Sequence, residues 1–114
     1  MIKIYHNARC SKSRATLAIL EQNNIEFEVV NYIETPPTKA ELVSLLRDLD
    51  MSPRELMRKG ELVYKQNNLS DTSLSDELLI AAMIESPILI ERPIVRTEKG
   101  VVIGRPPENV LTIL

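Results

Sequence analysis

The sequence predicts an α/β fold with the order βαβ, helical insertion, β-hairpin, C-terminal helix. Two alternating apolar stretches, residues 2–5 and 25–32, bracket a helical segment. A middle stretch of helix starts and leucine stripes follows. Two short β-branched runs, 94–97 and 101–103, then flank a turn that ends in glycine.

The opening run Met1-Ile2-Lys3-Ile4-Tyr5 alternates and reads as a strand. A helix over about 11–23 follows, stopped by Asn23-Asn24, and a second strand over 25–32. Strand, helix and strand of these lengths form a right-handed βαβ crossover with parallel strands. Thr35-Pro36-Pro37 breaks the chain. Thr38-Lys39-Ala40-Glu41 is a capping box, and Leu42, Leu45, Leu46 and Leu49 form a buried stripe behind it. Ser52-Pro53-Arg54-Glu55 is a second capping box, opening a short helix that runs through Leu56-Met57-Arg58-Lys59 to Gly60.

Residues 61–74 read as a turn of helix and a loop. Ser75-Asp76-Glu77 starts another helix with Leu78, Leu79, Ala82 and Met83 inside, ended by Pro87. The hairpin turns at Glu98-Lys99-Gly100, and Gly104-Arg105-Pro106-Pro107-Glu108 leads into a final helix carrying Val110, Leu111 and Leu114. This order is the thioredoxin-like pattern with an enlarged middle: one domain over 1–114, with a helical insertion at about 38–86.

Composition bounds the function. At 114 residues the chain can bury roughly two thirds of its unfolded surface. A net charge of −2 argues against nucleic-acid binding driven by phosphate neutralisation. No apolar run reaches the roughly 18 residues of a membrane span, and the chain opens on a strand, not a signal peptide. A cytoplasmic, membrane-free monomer is expected. One cysteine excludes an internal disulfide, and one histidine with one cysteine cannot close a metal shell.

The chemistry centres on His6-Asn7-Ala8-Arg9-Cys10-Ser11-Lys12-Ser13-Arg14, which holds the only histidine, the only cysteine and three cations. Cys10 stands at a strand-to-helix turn, where unpaired N–H groups and the helix dipole favour a thiolate. An unperturbed thiol is only about 3% ionised at pH 7, so that environment decides reactivity. Cys10-x-x-Ser13 lacks the second cysteine of a dithiol oxidoreductase, so any disulfide cycle needs an external thiol. Cys10-x3-Arg14 is too short for the Cys-x5-Arg phosphate loop. Arg58, Arg92 and Arg105 are candidates for an anion pocket, because guanidinium offers planar, bidentate donors to an oxyanion. Arg92 and Arg105 each adjoin a proline, which stiffens their backbone. In a thioredoxin-like fold the proline opening the hairpin lies beside the cysteine loop and is usually cis.

Tyr5-His6-Asn7-x-x-Cys10-x-x-Ser13-Arg14, Leu56-Met57-Arg58-Lys59, Glu91-Arg92-Pro93-Ile94-Val95 and Gly104-Arg105-Pro106 together resemble the glutaredoxin-dependent arsenate reductase family, in its short branch with Arg-Cys-Ser-Lys-Ser-Arg at the active turn. The resemblance implies a thioredoxin-like fold with an extra helical region. It implies that Cys10 attacks As(V) and that Arg58, Arg92 and Arg105 bind the oxyanion. His6 would help lower the cysteine pKa, with Ser13 near the thiolate. Glutathione would act as reducing co-substrate, with no bound cofactor, and glutaredoxin would reduce the mixed disulfide. Classical members read Cys-Gly-Thr-Ser-Arg where this chain has Cys10-Ser11-Lys12-Ser13-Arg14, and Ala8 stands where proline is common. Two alternatives stand beside it: a glutathione-linked thiol transferase, which Cys10-x-x-Ser13 suits, and a non-catalytic Spx-like transcription regulator, which typically carries Cys-x-x-Cys and against which Ser13 and the three arginines argue.

Overall fold

A computed structural model describes residues 2–114. Met1, placed by the sequence in the opening apolar run, lies outside the described residues. Contacts divide the chain into two compact units, Met1–Thr35 with Arg92–Leu114, and Pro36–Glu91.

The first unit holds a four-stranded sheet in the order β2-β1-β3-β4. Its strands are β1 (Ile2–His6), β2 (Phe27–Asn31), β3 (Ile94–Thr97) and β4 (Gly100–Ile103). β1 pairs parallel with β2, with Ile4 opposite Val29. It pairs antiparallel with β3, with Ile4 opposite Val95, and β3 pairs antiparallel with β4. The parallel pair with its intervening helix α1 (Ser11–Gln22) is the expected crossover. Gly100 opens β4 at φ 151°, a backbone that residues with a side chain rarely adopt. The sheet core is Ile4 and Val95 from facing strands, Leu20 from α1, and Val110 and Ile113 from the C-terminal segment.

That C-terminal segment, Pro107–Ile113, is a 3-10 helix, not an α-helix. Three residues per turn put Pro107, Val110 and Ile113 on the buried face. Leu111, one of the three apolar residues the sequence places on the final helix, is 52% exposed for this reason, and Leu114 is half-buried.

The second unit is helical: α2 (Lys39–Leu49), α3 (Pro53–Leu56), α4 (Leu62–Gln66), α5 (Asp76–Glu85) and a 3-10 turn, Pro87–Leu89. Both expected N-caps form. Thr38 Oγ1 accepts from the Glu41 N–H. Ser52 and Glu55 make the full reciprocal capping box. Leu42, Leu45 and Leu46 are buried as their spacing requires. Helix α3 is shorter than its sequence suggests. It ends at Leu56, because Met57 leaves the helix to bridge Ile90 as an antiparallel pair. In α5 the buried stripe is Leu79, Ile80 and Met83, whereas Leu78 is 57% exposed.

Candidate active site

The site grows from the end of β1. Asn7 builds the turn with three of its groups: its carbonyl accepts from the Cys10 N–H at 3.0 Å, its Oδ1 from the Arg9 N–H at 3.0 Å, and its N–H donates to Ser13 Oγ at 3.0 Å. An asparagine bonding its own backbone two residues on is a standard way to close such a turn. The Arg14 guanidinium spans the loop from outside, donating to the Ala8 carbonyl at 2.9 Å.

Cys10 is the N-cap of α1, at φ −96° and ψ 123°. A serine or aspartate there would offer an oxygen to the first free N–H groups. The cysteine makes no side-chain capping bond. Burial alone would raise the Cys10 pKa. The Ser13 N–H, the Arg92 side chain, the Lys12 N–H and the Arg92 charge outweigh it and bring the pKa below the ordinary thiol value.

Two of the three arginines singled out from sequence meet the cysteine. Arg92 is 8% exposed and supplies both a donor and a charge to Cys10. Arg105 is exposed, and its Nη1 lies 3.8 Å from Cys10 Sγ and donates to the Arg92 carbonyl at 3.4 Å. Both arginines precede cis prolines, Pro93 and Pro106, the first as the sequence leads one to expect. Arg58 lies in the helical unit, just past α3. Its Nε donates to Glu61 at 3.1 Å and its Nη1 to Glu91 at 2.7 Å.

His6 and Ser13 are both buried and bonded to each other, with Ser13 Oγ 2.7 Å from His6 Nδ1. Burial and then the Arg14 charge push the His6 pKa down. A neutral imidazole whose Nδ1 accepts from the Ser13 hydroxyl agrees with both facts, since the serine oxygen already accepts from Asn7.

Three residues of this region carried no role in the sequence reading. Asn7 was legible as turn chemistry. Thr16 and Gly104 were not: the Thr16 hydroxyl donates to the Lys12 carbonyl at 2.9 Å and to the Gly104 carbonyl at 3.4 Å, across 88 positions of sequence.

A cysteine of lowered pKa at a helix N-terminus, flanked by one buried and one exposed guanidinium, suits nucleophilic attack on a small oxyanion. Residues 5–113 match the ArsC family. The chain belongs to that family. Its relatives include the Escherichia coli (strain K12) protein YfgD, 57% identical over 99% of this chain and 96% of that protein. The arsenate reductase of Yersinia enterocolitica is 47% identical over 99% of this chain and 80% of its own length. The structure of the arsenate reductase from Vibrio cholerae superposes with a TM-score of 0.95 at 51% identity, covering 99% and 97% of the two chains. As in these ArsC proteins, the fold is thioredoxin-like α/β.

Proposed function

We propose that this chain is an arsenate reductase in which Cys10 is the nucleophile. One observation carries the reading: the only cysteine stands at the N-cap of a helix, with the buried Arg92 lowering its pKa and Arg105 Nη1 3.8 Å from its sulfur. The Cys10 thiolate bonds to arsenic(V), and an arsenate oxygen leaves as water. Arg92 and Arg105 hold the remaining oxygens by charge-assisted hydrogen bonds. The thiol of glutathione then forms a disulfide with Cys10 as the sulfur–arsenic bond breaks, leaving the electron pair on arsenic as arsenite. Glutaredoxin takes the glutathione from Cys10 and restores the thiolate. The resolving thiols must come from outside because the chain has one cysteine.

His6 and Ser13 act as a pair that fixes the first turn of α1, and so the N–H groups that hold the thiolate. The resemblance also assigns Arg58 to the oxyanion. No bound cofactor is needed. The enzyme works as a cytoplasmic monomer. Among the described residues no helix is long and apolar enough to cross a membrane.

The deciding experiment is NADPH oxidation coupled through glutathione reductase, with arsenate, glutathione and glutaredoxin, beside Cys10→Ser. Arsenate-dependent turnover that vanishes in the variant is expected. Turnover retained in the variant refutes the nucleophile, and no turnover in the native chain refutes the substrate.

A further inference from the structure

Arg105 is exposed, and an exposed arginine ordinarily samples many rotamers, which costs free energy each time it must meet a substrate. Here its backbone is caged from two sides. On the inner side Gly104 is buried between α1 and the start of β3. A Cβ on Gly104 would collide with Thr16 Oγ1 and come within 2.8 Å of Pro93 Cγ. The Gly104 N–H donates to the Pro93 carbonyl at 2.9 Å, tying the end of β4 to the residue that follows Arg92. On the outer side, the Asn109 amide donates to the Ile103 and Arg105 carbonyls, each at 3.2 Å. The Arg105 N–H returns to the Ile103 carbonyl at 2.9 Å. The backbone on either side of Arg105 is thereby fixed before its side chain reaches Arg92 and Cys10.

We infer that Asn109 and Gly104 are positioning residues for substrate binding, holding Arg105 in place from outside and inside so that its guanidinium is pre-set for the oxyanion. Neither touches the reacting atoms. This rests on the reading of Arg105 as an oxyanion ligand.

Asn109→Asp tests the outer brace. It keeps the size of the side chain but turns a donor into an acceptor facing two carbonyls. It also sits on the partly exposed side, where folding is least at risk. The expected result has three parts. The KM for arsenate rises about tenfold with a smaller change in kcat, the scale of loss that a small misplacement brings. The same substitution in an Arg105→Ala background changes KM no further. The heteronuclear NOE of the Arg105 Nε–Hε group falls toward that of a free arginine. Gly104→Ala should reproduce the KM effect if it folds.

An unchanged Arg105 NOE in Asn109→Asp overturns the inference, even if the chain turns over no arsenate. So does an equal rise in KM with and without Arg105. A native chain that does not use arsenate but shows the NOE change refutes the proposed substrate and leaves the positioning roles standing.

Discussion

Ser13 Oγ lies 2.7 Å from His6 Nδ1 and also receives the Asn7 N–H at 3.0 Å. The serine hydroxyl is therefore engaged with β1 and the loop, so an influence of His6 on Cys10 would pass through the turn that Ser13 holds.

This arrangement predicts that His6 and Ser13 are coupled. Ser13→Ala leaves the buried Asn7 N–H without its acceptor, a loss of about 1–3 kcal/mol of stability. The Cys10 alkylation profile should move toward higher pH as the turn loosens. Adding His6→Ala to Ser13→Ala should move it no further. An extra shift in the double variant, measured by iodoacetamide rates against pH, would demonstrate a direct His6–thiol interaction and sink this account.

The same pair sets an acid limit on stability. The His6 pKa is lowered in the folded chain by burial and by Arg14. Below the ordinary histidine value of about 6.5 the unfolded chain therefore binds more protons than the folded one. Stability should fall as pH drops from about 6.5 toward the lower folded value, and then the His6 contribution should level off. His6→Gln should remove that part of the slope in urea melts taken between pH 7 and pH 5. A slope identical to the native one would show that His6 is not the group responsible.

Arg92 and Arg105 should separate by readout. Arg92 is buried and stabilises the thiolate directly, so Arg92→Ala should move Cys10 alkylation to higher pH and also impair arsenate use. Arg105 is exposed and its contact with sulfur is long, at 3.8 Å. Arg105→Ala should chiefly raise the KM for arsenate, by about 10-fold or more, the worth of a charge-assisted hydrogen bond. Native kinetics and a native melting point in Arg105→Ala would leave Arg105 an ordinary exposed charge, and an unchanged alkylation profile in Arg92→Ala would separate that buried guanidinium from the thiol.

The local parts of the fold were legible in the sequence, and the reason is range. The strand alternation at Ile2–His6, the caps at Thr38 and Ser52, and the thiol at the start of α1 depend on neighbours a few residues away. What was not legible depends on partners far along the chain. Thr16 is paired with Gly104 only once β4 has folded back beside α1. Met57 leaves its helix because Ile90 arrives to pair with it. The C-terminal helix adds another cause, since a period near three and one near 3.6 diverge by less than a residue in one turn. Val110 satisfies both patterns, so it could not reveal which helix would form.

That last point can be checked. Val110→Ala should destabilise the chain by about 1–3 kcal/mol, because its side chain is fully buried in the sheet core. Leu111→Ser should stay within about 0.5 kcal/mol, as an exposed position does. Denaturant midpoints in which Leu111→Ser costs as much as Val110→Ala would contradict the 3-10 face.

Arg58 poses the sharpest question about roles. Its two ion pairs join side chains that are each about one-quarter exposed, so Arg58→Ala takes the shared cation from both Glu61 and Glu91. A loss of about 1–3 kcal/mol is expected, partly restored by Glu91→Gln in the same chain. Those pairs engage Nε and one Nη1 proton at most, which leaves guanidinium donors for the oxyanion role that the family resemblance assigns. Arg58→Lys separates the two roles, since it keeps the charge and loses the planar fork. If the oxyanion role holds, this variant melts near the native temperature and shows a raised KM for arsenate. A native KM in a well-folded Arg58→Lys confines the residue to its two carboxylates.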